Sequence, residues 1–280
     1  MLEALPRPLT SAILSVAVLL HDPAVPAPMG ESNSKKSQLL FAKSLHELRQ
    51  SEEAECPSIF ASKPSILHCQ VLTLLALQQH SIAAFSQAGT LLSAAASMAI
   101  EQRLHRWSDS KTYVEIQIRS RLWWSIYVLE KMLSCEMSRP ALLRAEECDI
   151  PWPSLEESDE YEFYVDAARM KQVEEPKFSP VKLRTISGFH MSIRIAMIME
   201  SLSTQIYSVA ARIRIKENRQ TAEETRIRLW TEVQDLQKEM EDSFFRLDTS
   251  EHRSSLPVAV TNHVVGDSAT LFSMTSFANY

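Results

Sequence analysis

An all-α fold is what this sequence predicts, a multi-helix bundle of packed helical hairpins with a proline-rich extended segment crossing it. Three observations carry that reading. Glycine is scarce, 4 residues against 13 prolines, whereas a β-rich chain of this size needs glycine in its tight turns. Apolar residues recur at three- and four-residue spacing over long stretches, the period of one helix face. An apolar content of 45% over 280 residues is enough to fill a sizeable core.

In chain order, Thr10 or Ser11 is the expected cap of a first helix running to about Leu20. Residues 22–36 read as a loop, with Pro23, Pro26, Pro28 and Gly30. A second helix is expected from Ser37, with Leu40, Phe41, Leu45 and Leu48 on its apolar face, and a second loop over residues 52–64. From Ser65 to His80, Leu67, Val71, Leu74 and Leu75 mark a helix. Ala84, Ala88, Leu91, Leu92, Ala95, Met98 and Ala99 mark its antiparallel partner. The small residues of that pair let two helices approach closely. Tyr113 to Met137 is a long helix stopped by Ser138-Arg139-Pro140, because proline lacks an amide hydrogen and biases the residue before it away from helix. A crossing segment over about 138–185 follows, then a helix over about Phe189 to Arg212. Thr221 with Glu224 three residues on reads as a capping box. The helix it opens carries Leu229, Val233, Leu236 and Met240, a short a/d-type stripe. Apolar Ala269 to Phe272 reads as one more helix, cut short.

Composition excludes several functions. The glycines Gly30, Gly89, Gly188 and Gly266 stand too far apart for a phosphate-binding loop. A net charge of −6 opposes the phosphate backbone of nucleic acid. The basic run Arg212, Arg214, Lys216 and Arg219 is followed by Glu223 and Glu224 and reads as a solvated helix face. Cys56, Cys69, Cys135 and Cys148 lack zinc-knuckle spacing and are too few for a secreted disulfide framework. Cys69 and Cys135 fall in apolar helical stretches and are expected to act as small hydrophobes. His68, His80, His105 and His190 lack zinc-hydrolase spacing, and no Gly-x-Ser-x-Gly nucleophile turn is present. No catalytic, metal-ligating or cofactor-binding residue is assigned, and the chain is read as a non-enzyme. Ile13 to Leu20 is preceded by Glu3, Pro6 and Pro8 and reads as core helix, not leader. It falls short of the roughly 20 apolar residues that span a bilayer.

The most specific text is Arg119-Ser120-Arg121-Leu122-Trp123-Trp124-Ser125-Ile126-Tyr127-Val128-Leu129-Glu130-Lys131. It resembles the central helix of the fungal-specific transcription factor domain, the middle homology region of zinc binuclear cluster transcription factors. That signature reads approximately Arg-Arg-x-Trp-Trp-x-x-Tyr-x-x-Asp, then Gly-Arg-Pro, then Asp-x-Asp-x-x-x-Pro. Arg121, Trp123, Trp124 and Tyr127 match its first part, with Glu130 where aspartate is usual. Arg139-Pro140 match the second, with Ser138 in place of glycine. Glu147, Asp149, Ile150, Pro151 and Pro153 match the third. The likeness is strongest over residues 66–153 and treats the chain as one regulatory domain, partial over 1–280. No six-cysteine cluster precedes it, and the C-terminal half of the region is expected to be missing.

The resemblance implies a regulatory domain controlling RNA polymerase II transcription in the nucleus. DNA would be reached only through a module absent here, and zinc would belong to that module. A small-molecule effector, a co-regulator protein or a homodimer is among the partners it allows. A helical protein-interaction scaffold is the alternative, although no fixed repeat period supports a solenoid. Trp123 and Trp124, about 100° apart on a helix, are expected as core anchors, with an effector cavity the other reading. Arg139 is expected to pair with Asp149, or failing that Glu147, and pin the crossing segment; an anionic ligand is its other reading.

Overall fold

The structure, a computed structural model, describes residues 5–19, 33–50, 64–109, 111–156, 161–164, 181–217 and 219–246. It is all-α. The helices are α1 (Arg7–Ala17), α2 (Asn33–Gln50), α3 (Ile66–Ser81), α4 (Phe85–Glu101), α5 (Tyr113–Glu136), α6 (Thr185–Leu202), α7 (Val209–Glu217) and α8 (Arg219–Arg246). Between α5 and α6 lie a 3₁₀ turn at Ala145–Glu147 and an antiparallel ribbon of β1 (Tyr161–Tyr164) and β2 (Val181–Arg184). Tyr161 pairs with Arg184 and Tyr164 with Val181. The ribbon was not expected from the sequence. Two compact units divide the chain, Met1–Leu229 and Trp230–Tyr280. Leu229 is buried in the first, and Leu236 is buried on the part of α8 that lies in the second.

The centre of the first unit is the α3–α4 pair, packed against α1 and α2 on one side and α5 on another, with α6 against α5. Ser65 caps α3 by accepting the His68 amide at 3.2 Å. Val71, Leu72 and Leu75 from α3 meet Ala88, Leu92, Ala95 and Ala99 from α4 in one core with Trp123, Ile126 and Tyr127 of α5. Cys69 is buried among them, and burial pushes its thiol up to about 12. Cys135 is exposed, at odds with its expected role as a small hydrophobe.

Helices α3, α4 and α5 all end in the same way. Ala83, Arg103 and Ser138 take left-handed conformations with φ of 61°, 52° and 51°. The amide after each bonds a carbonyl five residues back, Ala84 to Gln79, Leu104 to Ala99 and Arg139 to Ser134. These are Schellman caps made without glycine, at a backbone cost of about 1–2 kcal/mol each. Ser138 stands where the resembled signature carries its glycine.

Several expected boundaries move. Helix α1 begins at Arg7 with Pro6 as its cap and Pro8 in the first turn, where a missing amide hydrogen costs nothing. Thr10 and Ser11 are therefore internal, and Ser11 instead donates to Glu47 Oε2 at 2.7 Å. Helix α2 starts at Asn33, inside the expected loop. Leu48 is buried in the core with Phe41 and Leu45 packed against it, as expected. Two serines share that face: Ser37 Oγ donates to the Ser15 carbonyl and Ser44 Oγ to the Pro8 carbonyl, both at 2.7 Å. The long helix expected over Phe189 to Arg212 is interrupted by a π-helical turn, Ser203–Tyr207, and by Ser208, which restarts the chain as cap of α7 by accepting the Ala211 amide at 3.0 Å. Helix α8 starts at Arg219, so Thr221 lies within it, and Glu223 bonds Arg226. Cys56, residues 22–32 and 52–63 of the two expected loops, residues 157–160 and 165–180 of the expected crossing segment, and the 269–272 helix lie outside the described residues.

Candidate functional site

The motif residues meet where the segment leaving α5 folds back along it. Thr112 and Glu115 start α5 with a reciprocal capping box, and the Arg119 guanidinium bonds the Gln102 carbonyl at the end of α4 at 3.2 Å. After Ser138 the chain reverses, and residues 139–156 run antiparallel to α5 as a strap.

A strap has no helix or sheet partner, so its buried peptide groups need side-chain partners. Helix α5 provides them. Leu142 N donates to Glu130 Oε1 at 2.8 Å, and the Leu143 carbonyl accepts from Lys131 Nζ. The Pro151 carbonyl accepts from Ser120 Oγ at 2.6 Å and Trp124 Nε1 at 3.3 Å, and Ser154 N donates to Gln117 Oε1 at 2.8 Å. Further bonds lie off α5: Asp149 N and Ile150 N both donate to the His105 carbonyl, and the Pro153 carbonyl meets His190 Nε2 of α6 at 2.8 Å. From Gln117 to Glu130 a helix advances ~20 Å, whereas twelve extended strap residues would run ~40 Å. The 3₁₀ turn at Ala145–Glu147 is part of what takes up the difference.

At the centre lies a buried ionic knot. Lys131 Nζ is 2.9 Å from Glu130 Oε2 and 3.6 Å from Glu200 Oε2 of α6, with the lysine side chain 1% exposed. It also lies 4.9 Å from the centroid of the Tyr127 ring. Glu200 Oε2 accepts from Tyr127 Oη at 2.6 Å and from Ala145 N at 3.3 Å, and Ser134 Oγ donates to Glu130 Oε1 at 2.7 Å. Burial, then the Glu200 bond, hold the Tyr127 phenol above its usual range, so it remains a donor. The knot joins α5, the strap and α6 at one point.

The motif residues thus fall into groups. Trp123 and Trp124 are 2% and 3% exposed. Trp123 lies against the His105 ring at 5.2 Å, and Trp124 meets Tyr127 and Trp152 edge-on. Trp152 in turn meets the His190 ring edge-on at 5.0 Å. Ile150 and Pro153 are buried, whereas Pro140, Glu147 and Pro151 are exposed. Arg121 is half-buried and lines a groove of about 160 Å³ with Tyr113, Val114, Gln117 and Ile118.

Arg139 does not form the expected pin. Its guanidinium lies over Gly89 of α4, where an added Cβ would stand 2.6 Å from Nη1. Asp149 is engaged elsewhere, accepting the Trp107 amide at 2.7 Å and pairing with Arg106 at 3.8 Å. Glu147 is not its partner either. The Schellman cap explains the miss: it sends residue 139 off the helix end toward α4, and the strap is held by Glu130 and Lys131 one turn and more before that end. Sequence reasoning passed over Lys131, Glu200, Ser120, Gln117 and the role of the acid at 130. The signal was available, since positions 117, 120, 124, 127, 131 and 134 step by threes and fours and all can hydrogen-bond.

A family model described as the fungal specific transcription factor domain matches residues 7–249. The chain belongs to this family. Its motif order, Trp-Trp on α5, the turn at Arg139-Pro140 and the acidic-proline strap, is therefore one physical unit: a helix and the segment it holds. A Schizosaccharomyces pombe protein described as an uncharacterized transcriptional regulatory protein is 32% identical over 98 residues, 33% of this chain and 12% of that protein. The chain thus spans about an eighth of that relative's length. No solved structure matches the chain. The family and this relative support a role in transcription regulation, and the family is not one of enzymes. Among the described residues no helix is long and apolar enough to cross a membrane, and no cluster of His, Cys, Asp and Glu could hold a metal ion.

Proposed function

We propose that this chain is the regulatory domain of a fungal DNA-binding transcription factor that controls RNA polymerase II transcription in the nucleus. DNA contact belongs to a zinc-cluster module of the full-length parent, and zinc to that module alone. The observation that carries the reading is the family match across residues 7–249. The net charge of −6 agrees with it, since this polypeptide by itself is poorly suited to phosphate binding. The domain works by packing and docking, with no catalytic step. Arg121, Trp123, Trp124, Tyr127, Arg139, Pro140, Glu147, Asp149, Ile150, Pro151 and Pro153 form its framework, and a small effector, a co-regulator or a second copy is its input.

The test is to fuse the 280-residue chain to a heterologous DNA-binding module in a fungal reporter strain. Expression of the reporter should change several-fold relative to the module alone; no change would remove the regulatory reading and favour a plain helical scaffold. The unfused chain should show no sequence-selective binding to duplex DNA at physiological salt. A sub-micromolar selective titration by fluorescence anisotropy would overturn the assignment of DNA contact to another module.

A further inference from the structure

Helix α7 is attached to the first unit in an unusual way. Among its residues only Ala211 is buried, at 0% exposure. Val209 and Ile213, one turn apart, are 66% and 54% exposed. At ~100° per residue, Val209, Arg212, Ile213 and Lys216 fall within ~100° of arc, and Ala211 lies on the opposite side. The stripe therefore points away from the unit: two β-branched aliphatic side chains with a cation beside each. Exposed Arg214 extends the charge around one side, and Glu217 is the single acid on the helix.

Among the described residues these cations, Arg212, Arg214 and Lys216, have no ion-pair partner, whereas Glu223, the next acid on α8, is bonded to Arg226. In a chain of net charge −6, three cations against one acid on nine residues is a local reversal of sign. A purely solvated face would not need Val209 and Ile213 in it, and phosphate backbones offer nothing to aliphatic side chains. A ligand that satisfies both must carry carboxylates and apolar side chains at helical spacing.

We propose that the Val209–Arg212–Ile213–Lys216 face of α7 is a docking surface for an acidic amphipathic helix of a partner protein. The aliphatic pair gives the contact its buried centre, and the cations give it charge complementarity and orientation. This goes beyond the regulatory reading and is independent of it, since such a surface would serve a transcription regulator and a scaffold alike.

The probe is a fluorescein-labelled 16-residue peptide with leucine at positions i, i+3, i+4 and i+7 and glutamate at most others. The full 280-residue chain is titrated into it by anisotropy. Micromolar binding is expected. It should weaken at least tenfold for R212E/K216E, at least fivefold for V209S/I213S, and at least fivefold when the peptide glutamates become glutamine. Circular dichroism should show both variants retaining helix, because all four substituted side chains are exposed. If either double variant binds the peptide as tightly as the unaltered chain, or the unaltered chain does not bind it, the surface is not an acidic-helix site. Binding to a 20-base-pair duplex or to phosphatidylserine vesicles that is tighter than peptide binding and lost in R212E/K216E would overturn it in favour of an anionic-polymer or lipid surface.

Discussion

The α3–α4 hairpin and the strap on α5 bury their apolar side chains by opposite means. In the hairpin each helix satisfies its own peptide groups, so the interface needs only shape: Ala88, Ala95 and Ala99 at 0% exposure against Val71, Leu72 and Leu75. The strap brings bare peptide groups to a helix surface, and each buried one requires a donor or acceptor from α5, α6 or the turn at His105. Shape alone gives an interface tolerant of apolar exchange. An interface of matched polar groups has one register, because sliding the strap by a residue would orphan its carbonyls and amides. The difference teaches where this domain is stiff: the turn and strap are held in place by chemistry, and the hairpin by volume.

The largest expected effect comes from removing the centre of the knot. K131M leaves Glu130 and Glu200 buried without their ammonium and frees the Leu143 carbonyl, and should cost about 3–5 kcal/mol. Denaturant unfolding of the full chain measures it. Adding E130Q and E200Q to K131M should recover at least half of the loss, since the stranded charges are then gone. A K131M variant with an unchanged midpoint would show that the strap is held by packing, as the hairpin is. W124A belongs to the same class, at about 3–5 kcal/mol for an enclosed ring. W124F keeps an aromatic ring but loses the donor to the Pro151 carbonyl and part of the indole's volume, and should cost less than W124A.

On the hairpin side, A95L forces three extra carbons between α3 and α4 and should cost about 1–3 kcal/mol by overpacking. Exchange of Leu72 for methionine, of similar volume, should cost under about 1.5 kcal/mol. If A95L proves as costly as K131M, the two interfaces are equally exacting and the contrast fails.

How much could be read in advance follows from the same contrast. Volume-driven packing writes itself as apolar periodicity, and the hairpin, α5 and the stop at Ser138-Arg139-Pro140 were legible for that reason. The polar matching was not. Gln117, Ser120 and Lys131 look like ordinary helix residues until the strap shows which peptide groups they meet. Glu200 lies 69 positions beyond Lys131, with nothing local to announce the pairing. Buried serines on α2, and Ser208 as the break between α6 and α7, were missed for a related reason: serine is read as exposed unless a partner is visible. The family motif located the right residues; assigning Arg139 to the pin was wrong because the Schellman turn aims it at Gly89.

Solution pH offers a gentler probe of the strap's far anchor. Burial, then the charge of Arg106, hold the His105 pKa below its ordinary value, opposed by Asp149 and Glu147. The unfolded chain therefore takes up this proton first as pH falls through about 6.5, and the folded state loses stability there. The loss should level off once pH is below the folded value. H105Q should flatten that part of the stability–pH profile; an identical slope in both proteins would clear His105 of the effect.

A similarly modest gain is expected at the turn. S138G removes the Cβ from a residue at φ 51° and should stabilise the fold by about 1 kcal/mol, after the greater chain entropy of glycine is offset. Thermal melts resolve a change of that size. A loss instead would mean that the Ser138 side chain contributes more than the turn geometry costs.

The smallest expected effect is the most discriminating for the motif. If the strap is held at Glu130 and Lys131, then Arg139 and Asp149 are energetically independent. The two are engaged in different places, Arg139 over Gly89 and Asp149 with the Trp107 amide and Arg106. Because Arg106 and Asp149 are both more than half exposed at 52% and 56%, even their own pairing should be worth under about 1 kcal/mol. A double-mutant cycle of R139A with D149A should therefore give a coupling energy of zero within about 0.3–0.5 kcal/mol. The parallel cycle of R106A with D149A should give a small favourable one. Coupling of Arg139 to Asp149 above that margin, with none for Arg106, would return the pin to the helix end and reduce the buried knot to packing.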